Sequence, residues 1–307
     1  MNKKVLHTLE YDKIIETLTE FAYSNSAKEQ CRGLLPMTDL DAVNLAQKQT
    51  KDALTRVFQK GSLSFSGVHP VTAFIKRLEI GGCLNTLELL QISSLLEVSR
   101  RAKSYSRTDR QDAQMDSLDE FFNTIEPLTP LNDEIKRCIL SEDEISDDAS
   151  SALKSIRRAI GNMNERIRSQ INKIMNQAHN SGYLQDSVIT MRGGRYCIPV
   201  KAEAKNQIPG MVHDQSSSGS TLFIEPSAIV NLNNEQKELF LKEAKEIESI
   251  LADLSSRVFE QAAFIHDNYK ALTTLDFIFA KAELAKLYNG VAPVFHTDGR
   301  IHIRKGR

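Results

Sequence analysis

The chain has 307 residues, with 39 Lys and Arg against 40 Asp and Glu, so it has room for about two domains and is neither polybasic nor polyacidic. Four cysteines, Cys31, Cys83, Cys138 and Cys197, lie far apart with no C-x-x-C pair, which excludes a disulfide framework and a zinc ribbon. No apolar run approaches the roughly 18 residues of a membrane span, and a secretory leader is not expected, so the chain reads as reduced and cytoplasmic.

The first 125 residues alternate helical patterns with short breaks. Tyr11, Ile14, Ile15, Leu18, Phe21 and Ala22 form one apolar face. Ser26 and Glu29 have capping-box spacing for the next short helix, which Gly33 and Pro36 close. Asp39 can cap a helix bearing Val43, Ala46, Leu54, Val57 and Phe58. His69-Pro70 opens another with Phe74, Ile75 and Leu78, and Asn85 can cap one bearing Leu87, Leu90, Leu95 and Val98. Residues 1–149 are therefore expected to form a helical core, with a short hairpin as one option for Cys138 to Asp148.

Ser150 sits where side-chain oxygens cap a helix. From there Leu153, Ile160, Ile167 and Ile174 recur every seven residues, predicting a long helix over 150–182 that Gly182 stops. A return helix is predicted over 234–288, with Leu251, Val258, Ile265, Leu272 and Phe279 seven apart. Its second half is apolar on more than one face and is expected to be buried in the helical core.

Between the two helices the pattern changes. Val188 to Met191 and Tyr196 to Val200 are rich in β-branched residues and flank Arg192-Gly-Gly-Arg195, which predicts a hairpin whose glycines take positive φ. Pro199 and Pro209 are expected at strand edges or ends, because neither can donate to a ladder. The chain thus reads as mostly α: a helical core with a long antiparallel two-helix lever carrying a small antiparallel β clamp over 183–233.

Charge is uneven along this plan. Residues 109–148 hold 13 acids and 3 bases, whereas residues 154–205 hold 10 bases and 3 acids, a local excess of 7. On the clamp, Arg192, Arg195, Lys201, Lys205 and His213 are the candidate contacts for phosphate oxygens, with a plain turn bearing solvated arginines as the alternative. Lys154, Arg157, Arg158, Arg166, Arg168 and Lys173 form a secondary basic face on the outgoing helix. The 7 acids and 4 bases of residues 235–260 could neutralise part of that face across the helix pair. Gln215 to Ser220 reads as a flexible turn, since no nucleophile elbow or His and acid partner accompanies its serines. There is no P-loop, no G-x-G-x-x-G and no histidine at ligand spacing, so no catalytic residue, metal or nucleotide site is assigned.

The segments Gly194-Arg-Tyr-Cys-Ile-Pro-Val200, Ile208-Pro-Gly-Met-Val-His-Asp214, Ser218-Gly-Ser-Thr-Leu-Phe-Ile-Glu-Pro226 and Leu232-Asn-Asn234, with Asp147 to Arg157, closely resemble the second bacterial class of MutS proteins. The resemblance implies a core over 1–149, lever arms over 150–182 and 234–265, and a clamp over 183–233. Its motif positions on the clamp are Arg195, Tyr196, Lys201, His213, Ser218 and Thr221.

It also implies a longer protein, with an ABC-type ATPase using ATP and Mg, a C-terminal Smr endonuclease domain, and a homodimer. Arg300 to Arg304 then reads as the first strand of the ATPase. The implied targets are branched or recombination-intermediate DNA, with suppression of recombination, or the RNA of collided ribosomes in ribosome rescue. The alternative is a protein-docking or dimerisation module that touches no nucleic acid.

Overall fold

A computed structural model describes residues 3–107 and 115–304. In chain order the elements are α1 (Lys3–Thr8), α2 (Tyr11–Phe21), α3 (Asn25–Arg32), α4 (Leu40–Lys60), α5 (Thr72–Glu79), α6 (Thr86–Ser106), α7 (Asp119–Thr124) and α8 (Thr129–Cys138). There follow β1 (Ile139–Ser141), β2 (Glu144–Ile145), α9 (Ser151–Asn180), β3 (Thr190–Arg192), β4 (Arg195–Lys201), β5 (Gly210–Gln215), β6 (Thr221–Pro226), α10 (Val230–Glu260) and α11 (Ala262–Leu287). The chain is mostly α, with a helical core and a small antiparallel sheet. It divides into two compact units, one of residues 1–143 with 252–307 and one of residues 144–251.

In the first unit the caps show how local chemistry starts each helix. Asn85 accepts from Glu88 N at 2.9 Å while the Glu88 carboxylate accepts from Asn85 N at 3.0 Å, a full capping box on α6. Asp39 caps α4 by accepting from Asp41 N and Ala42 N. The cap of α3 is Ser24, not Ser26. Ser24 Oγ accepts from Ala27 N and donates to the buried Asp276 of α11 at 2.7 Å, a partner 252 residues away that spacing cannot reveal. Ser26 instead lies 2.5 Å from the Tyr269 hydroxyl. The apolar face of α6 (Leu89, Ile92, Leu95, Leu96) and that of α11 (Leu272, Leu275, Ile278) are almost fully buried, and Phe65 meets Phe279 edge to face at 5.6 Å.

In the second unit α9 spans about 45 Å at 1.5 Å per residue. Ser150 caps it by accepting from Leu153 N at 2.9 Å, and Gly182 follows its end at φ +72°. Contacts from Ser150 to Glu246, Arg157 to Glu243 and Arg166 to Glu235 set α10 antiparallel to it. The sheet order is β3-β4-β6-β5, all antiparallel, so β5 and β3 are its edges. Gly193 and Gly194, at φ +56° and +73°, make the two-residue turn between β3 and β4.

The core of this unit is continuous across helix and sheet. Met163, Ile167, Ile171, Met175 and Ala178 of α9 pack with Ile198, Val200, Leu222 and Ile224 of the sheet. Met163 to Ala178 covers about 22 Å of helix, so the sheet lies along the last four turns of α9 and shares their core.

Two sequence expectations are corrected. The return helix begins at Val230 and is broken at Gln261 (φ −105°, ψ 11°) into α10 and α11, whereas its apolar heptad runs unbroken across the interruption through the fully buried Val258 and Ile265. Pro199 stands inside the central strand β4. Its carbonyl accepts from Gln185 N, and its own nitrogen faces the same way, away from β6, so no sheet hydrogen bond is lost. Residues 300–304, which the resemblance makes the first strand of an ATPase in a longer protein, are exposed and take no strand among the described residues.

Gly210 tests the sheet packing, because a Cβ there would lie 2.3 Å from the Glu225 carbonyl oxygen and 2.6 Å from an Ile224 methyl. Gly210→Ala is expected to destabilise by about 2 kcal/mol, in the range of overpacked cores. Gly161 in α9 has nothing within 4 Å of the same atom, so Gly161→Ala should stabilise by about 0.5–1 kcal/mol. Urea midpoints followed by circular dichroism check both, and equal shifts would contradict the packing described.

Candidate nucleic-acid interface

Strand alternation places Ile198, Val200, Leu222 and Ile224 on the sheet face that meets α9. Their neighbours in sequence therefore form the opposite face: Arg195, Cys197, Pro199 and Lys201 on β4, Thr221, Phe223 and Glu225 on β6, and Arg192 on β3. His213 joins them through a bulge, since the β5–β6 register shifts between Val212 and Asp214. Arg192, Arg195 and His213, predicted from sequence as phosphate contacts, are thus gathered on one face.

Two of these three are occupied by the fold. Glu225 has a side chain only 1% exposed; its Oε1 accepts from Arg195 Nη1 and Asn233 Nδ2, both at 2.7 Å, and its Oε2 from His213 Nε2 at 2.6 Å. Arg195 also donates from Nη2 to Asn234 Oδ1 at 2.6 Å. Burial alone would raise the Glu225 carboxyl, but the hydrogen bonds from Asn233, His213 and Arg195 outweigh it and hold it below the ordinary value. Beside it, burial and the Glu225 charge push the Cys197 thiol up to about 11, so that thiol is inert.

Arg192 lies over the Phe223 ring at 4.0 Å and has its Nε 3.0 Å from Asp214 Oδ2, off the direction of the N–H bond. Lys201 donates to the Gly182 carbonyl at 3.1 Å, and Lys205 is exposed on the 3-10 turn Ala202–Gln207. Neither lysine has a carboxylate within ion-pair reach among the described residues.

The basic face of α9 divides in the same way. Lys154 pairs with Asp148 at 2.8 Å, Arg157 with Glu243 at 2.7 Å and Asp147 at 2.5 Å, and Arg166 loosely with Glu235 at 3.9 Å. Arg158, Arg168 and Lys173 are exposed, and no carboxylate among the described residues pairs with them. Arg158 lies opposite the apolar stripe of the helix, whereas the half-buried Arg157 borders the stripe on the side of α10.

Sequence reasoning missed Glu225, Asn233, Asn234, Asp214 and Phe223. A signal for the first was present: one acid in the otherwise apolar strand Thr-Leu-Phe-Ile-Glu-Pro, on the same period-2 face as Phe223. A buried charge there demands donors. Among the described residues no group of His, Cys, Asp and Glu could hold a metal ion, and no helix is long and apolar enough to cross a membrane.

Glu225 carries a pH signature. Its folded pKa is depressed, so its stabilising contribution is present above the ordinary value of 4.5 and is lost as pH falls through the folded value. Glu225→Gln leaves Arg195 without its counter-charge and is expected to cost about 3 kcal/mol at pH 7, as for a broken buried pair. The variant should also show a smaller acid-side fall in urea midpoint, since other depressed carboxylates such as Glu97 and Asp116 keep theirs; the same acid-side fall in wild type and variant would refute this role.

No family model matches the chain. Curated relatives do, along all of it: it is 58% identical over 307 residues to a protein of Agathobacter rectalis, 49% over 312 residues to one of Lachnoclostridium phytofermentans and 50% over 307 residues to one of Lachnospira eligens, each named Endonuclease MutS2. The chain spans 39%, 39% and 38% of their respective lengths. Along its whole length, with a long helix pair and a small antiparallel sheet between the helices, the chain is thus similar to the corresponding part of MutS2 proteins.

Proposed function

We propose that residues 144–251 grip nucleic acid without regard to sequence, through phosphate contacts, within a larger MutS-like endonuclease. The carrying observation is the set of cations with no carboxylate partner among the described residues: the exposed Arg158, Arg168 and Lys173 on α9 and Lys205 beside the sheet, with the half-buried Lys201, which donates only to the Gly182 carbonyl. Counter-ions released from phosphates by such groups supply most of the free energy of non-specific binding. The relatives' name, which states an endonuclease, supports a nucleic-acid target. No catalytic role is proposed for the residues described. Cleavage, and ATP and Mg chemistry, belong in this reading to the rest of a homodimeric cytoplasmic protein. Both proposed targets, branched DNA and the RNA of collided ribosomes, present the phosphates the grip requires.

A second reading, a protein-docking surface, draws on exposed apolar side chains in the same unit: Met211 (59%) on the edge strand β5 and Leu241 (63%) on α10. Charge reversal separates the readings, provided it spares Arg195, whose loss would unfold the site. If about four phosphates are neutralised, log affinity for a short duplex should fall with log salt at a slope of roughly −3.6. Lys201→Glu with Lys205→Glu should flatten that slope by about 2 and leave thermal stability unchanged. Unaltered nucleic-acid affinity in this variant, with loss of a protein partner instead, would favour docking.

A further inference from the structure

Phosphate contact leaves one arrangement on the outer sheet face unused. The Arg192 guanidinium carbon sits 4.0 Å from the centroid of Phe223, Nη1 donates to the Met191 carbonyl at 3.2 Å, and Asp214 lies against Nε. The plane is therefore fixed by a ring beneath it and by the strand beside it, while 38% of the side chain stays open to solvent.

Other cation–ring pairs among the described residues differ. Arg56 over Phe122 is only 9% exposed and is clasped by Asp116 and Asp119. Lys60, Lys281 and Lys286 lie over rings too, but an ammonium has no flat surface to offer. Arg192 alone among them presents a held, planar cation that is partly open to solvent.

Such a plane suits one ligand feature. An unpaired nucleobase can lay its face on a guanidinium or an aromatic ring, whereas a base inside a duplex has both faces covered by its neighbours. Lys201 is on the same sheet face, and with the exposed Lys205 it provides ammonium groups for flanking phosphates. We propose that Arg192, backed by Phe223, is a stacking platform for an unpaired nucleobase, so that residues 144–251 prefer single-stranded or locally unpaired nucleic acid over duplex. This deepens the nucleic-acid reading and rests on it.

The test uses the full chain and oligonucleotides of about 12 nucleotides, within the usual site size for single-strand binders, carrying a central 2-aminopurine. DNA and RNA versions are each presented single-stranded and as duplex. Wild type should quench the probe and bind the single strand about tenfold tighter than the duplex, the lower end of one base–side-chain stack. Quenching with DNA, RNA or both supports the platform and identifies the strand.

Arg192→Lys keeps the charge and removes the plane. It should keep duplex affinity and salt slope and lose the tenfold preference; Phe223→Leu, with its fold checked by circular dichroism, should do the same. Equal binding of single strand and duplex by wild type, or an undiminished preference in Arg192→Lys, overturns the platform while leaving phosphate gripping intact. Absence of salt-sensitive binding to every oligonucleotide overturns both.

Discussion

A carboxylate kept ionised with almost none of its surface in water must be surrounded by donors, and in residues 144–251 that need organises the sheet. Glu225 draws Arg195 from β4, His213 from β5 and Asn233 from the first turn of α10, so three elements remote in sequence converge on one side chain. Such an ion cluster adds little net stability compared with an apolar filling, because desolvation offsets most of the attraction. Its contribution is specificity of arrangement: only one register of β5 and one start for α10 bring the donors within reach. The bulge at His213 belongs to the same solution, since it turns that ring toward the carboxylate.

The cluster also divides the cations by role. A local excess of positive charge in sequence suggests a uniform binding surface, but the structure spends Arg195 and His213 on Glu225 and Arg157 on two carboxylates, Asp147 and Glu243. What remains for a ligand is a smaller set at the surface, whose ammonium and guanidinium groups keep their hydration until a phosphate replaces it. Surface pairs such as Lys154 with Asp148 exchange readily with solvent and can release their cation at little cost.

Much of this plan was legible in the residues. Heptad spacing gave α9 and the apolar side of α10, Gly193-Gly194 gave the hairpin, and Asp39, Asn85 and Ser150 each cap the helix they precede. Those signals are local, set by neighbours within a turn or two. The features that escaped are long-range. Ser24 displaces Ser26 as a cap because Asp276, distant in the chain, holds it. The break at Gln261 leaves the apolar period untouched, so periodicity does not register it. Asn233 and Asn234 look like the punctuation before a helix, yet they lie inside one, because their amides serve Glu225 and Arg195. Within the candidate site, charge alone named the right strands but could not tell a cation held by a buried acid from one left in water.

Pro199 bears on how this sheet behaves among many copies of itself. Beyond the short β3, the flank of β4 is covered by the stretch Tyr183 to Gln185, whose Gln185 N already holds the Pro199 carbonyl, and Pro199 has no amide to donate there. An incoming strand cannot zip along such a flank, which removes one of the two templates through which small sheets recruit one another into aggregates. The remaining template is β5, where the kink at His213 interrupts the regular ladder that amyloid growth would have to copy.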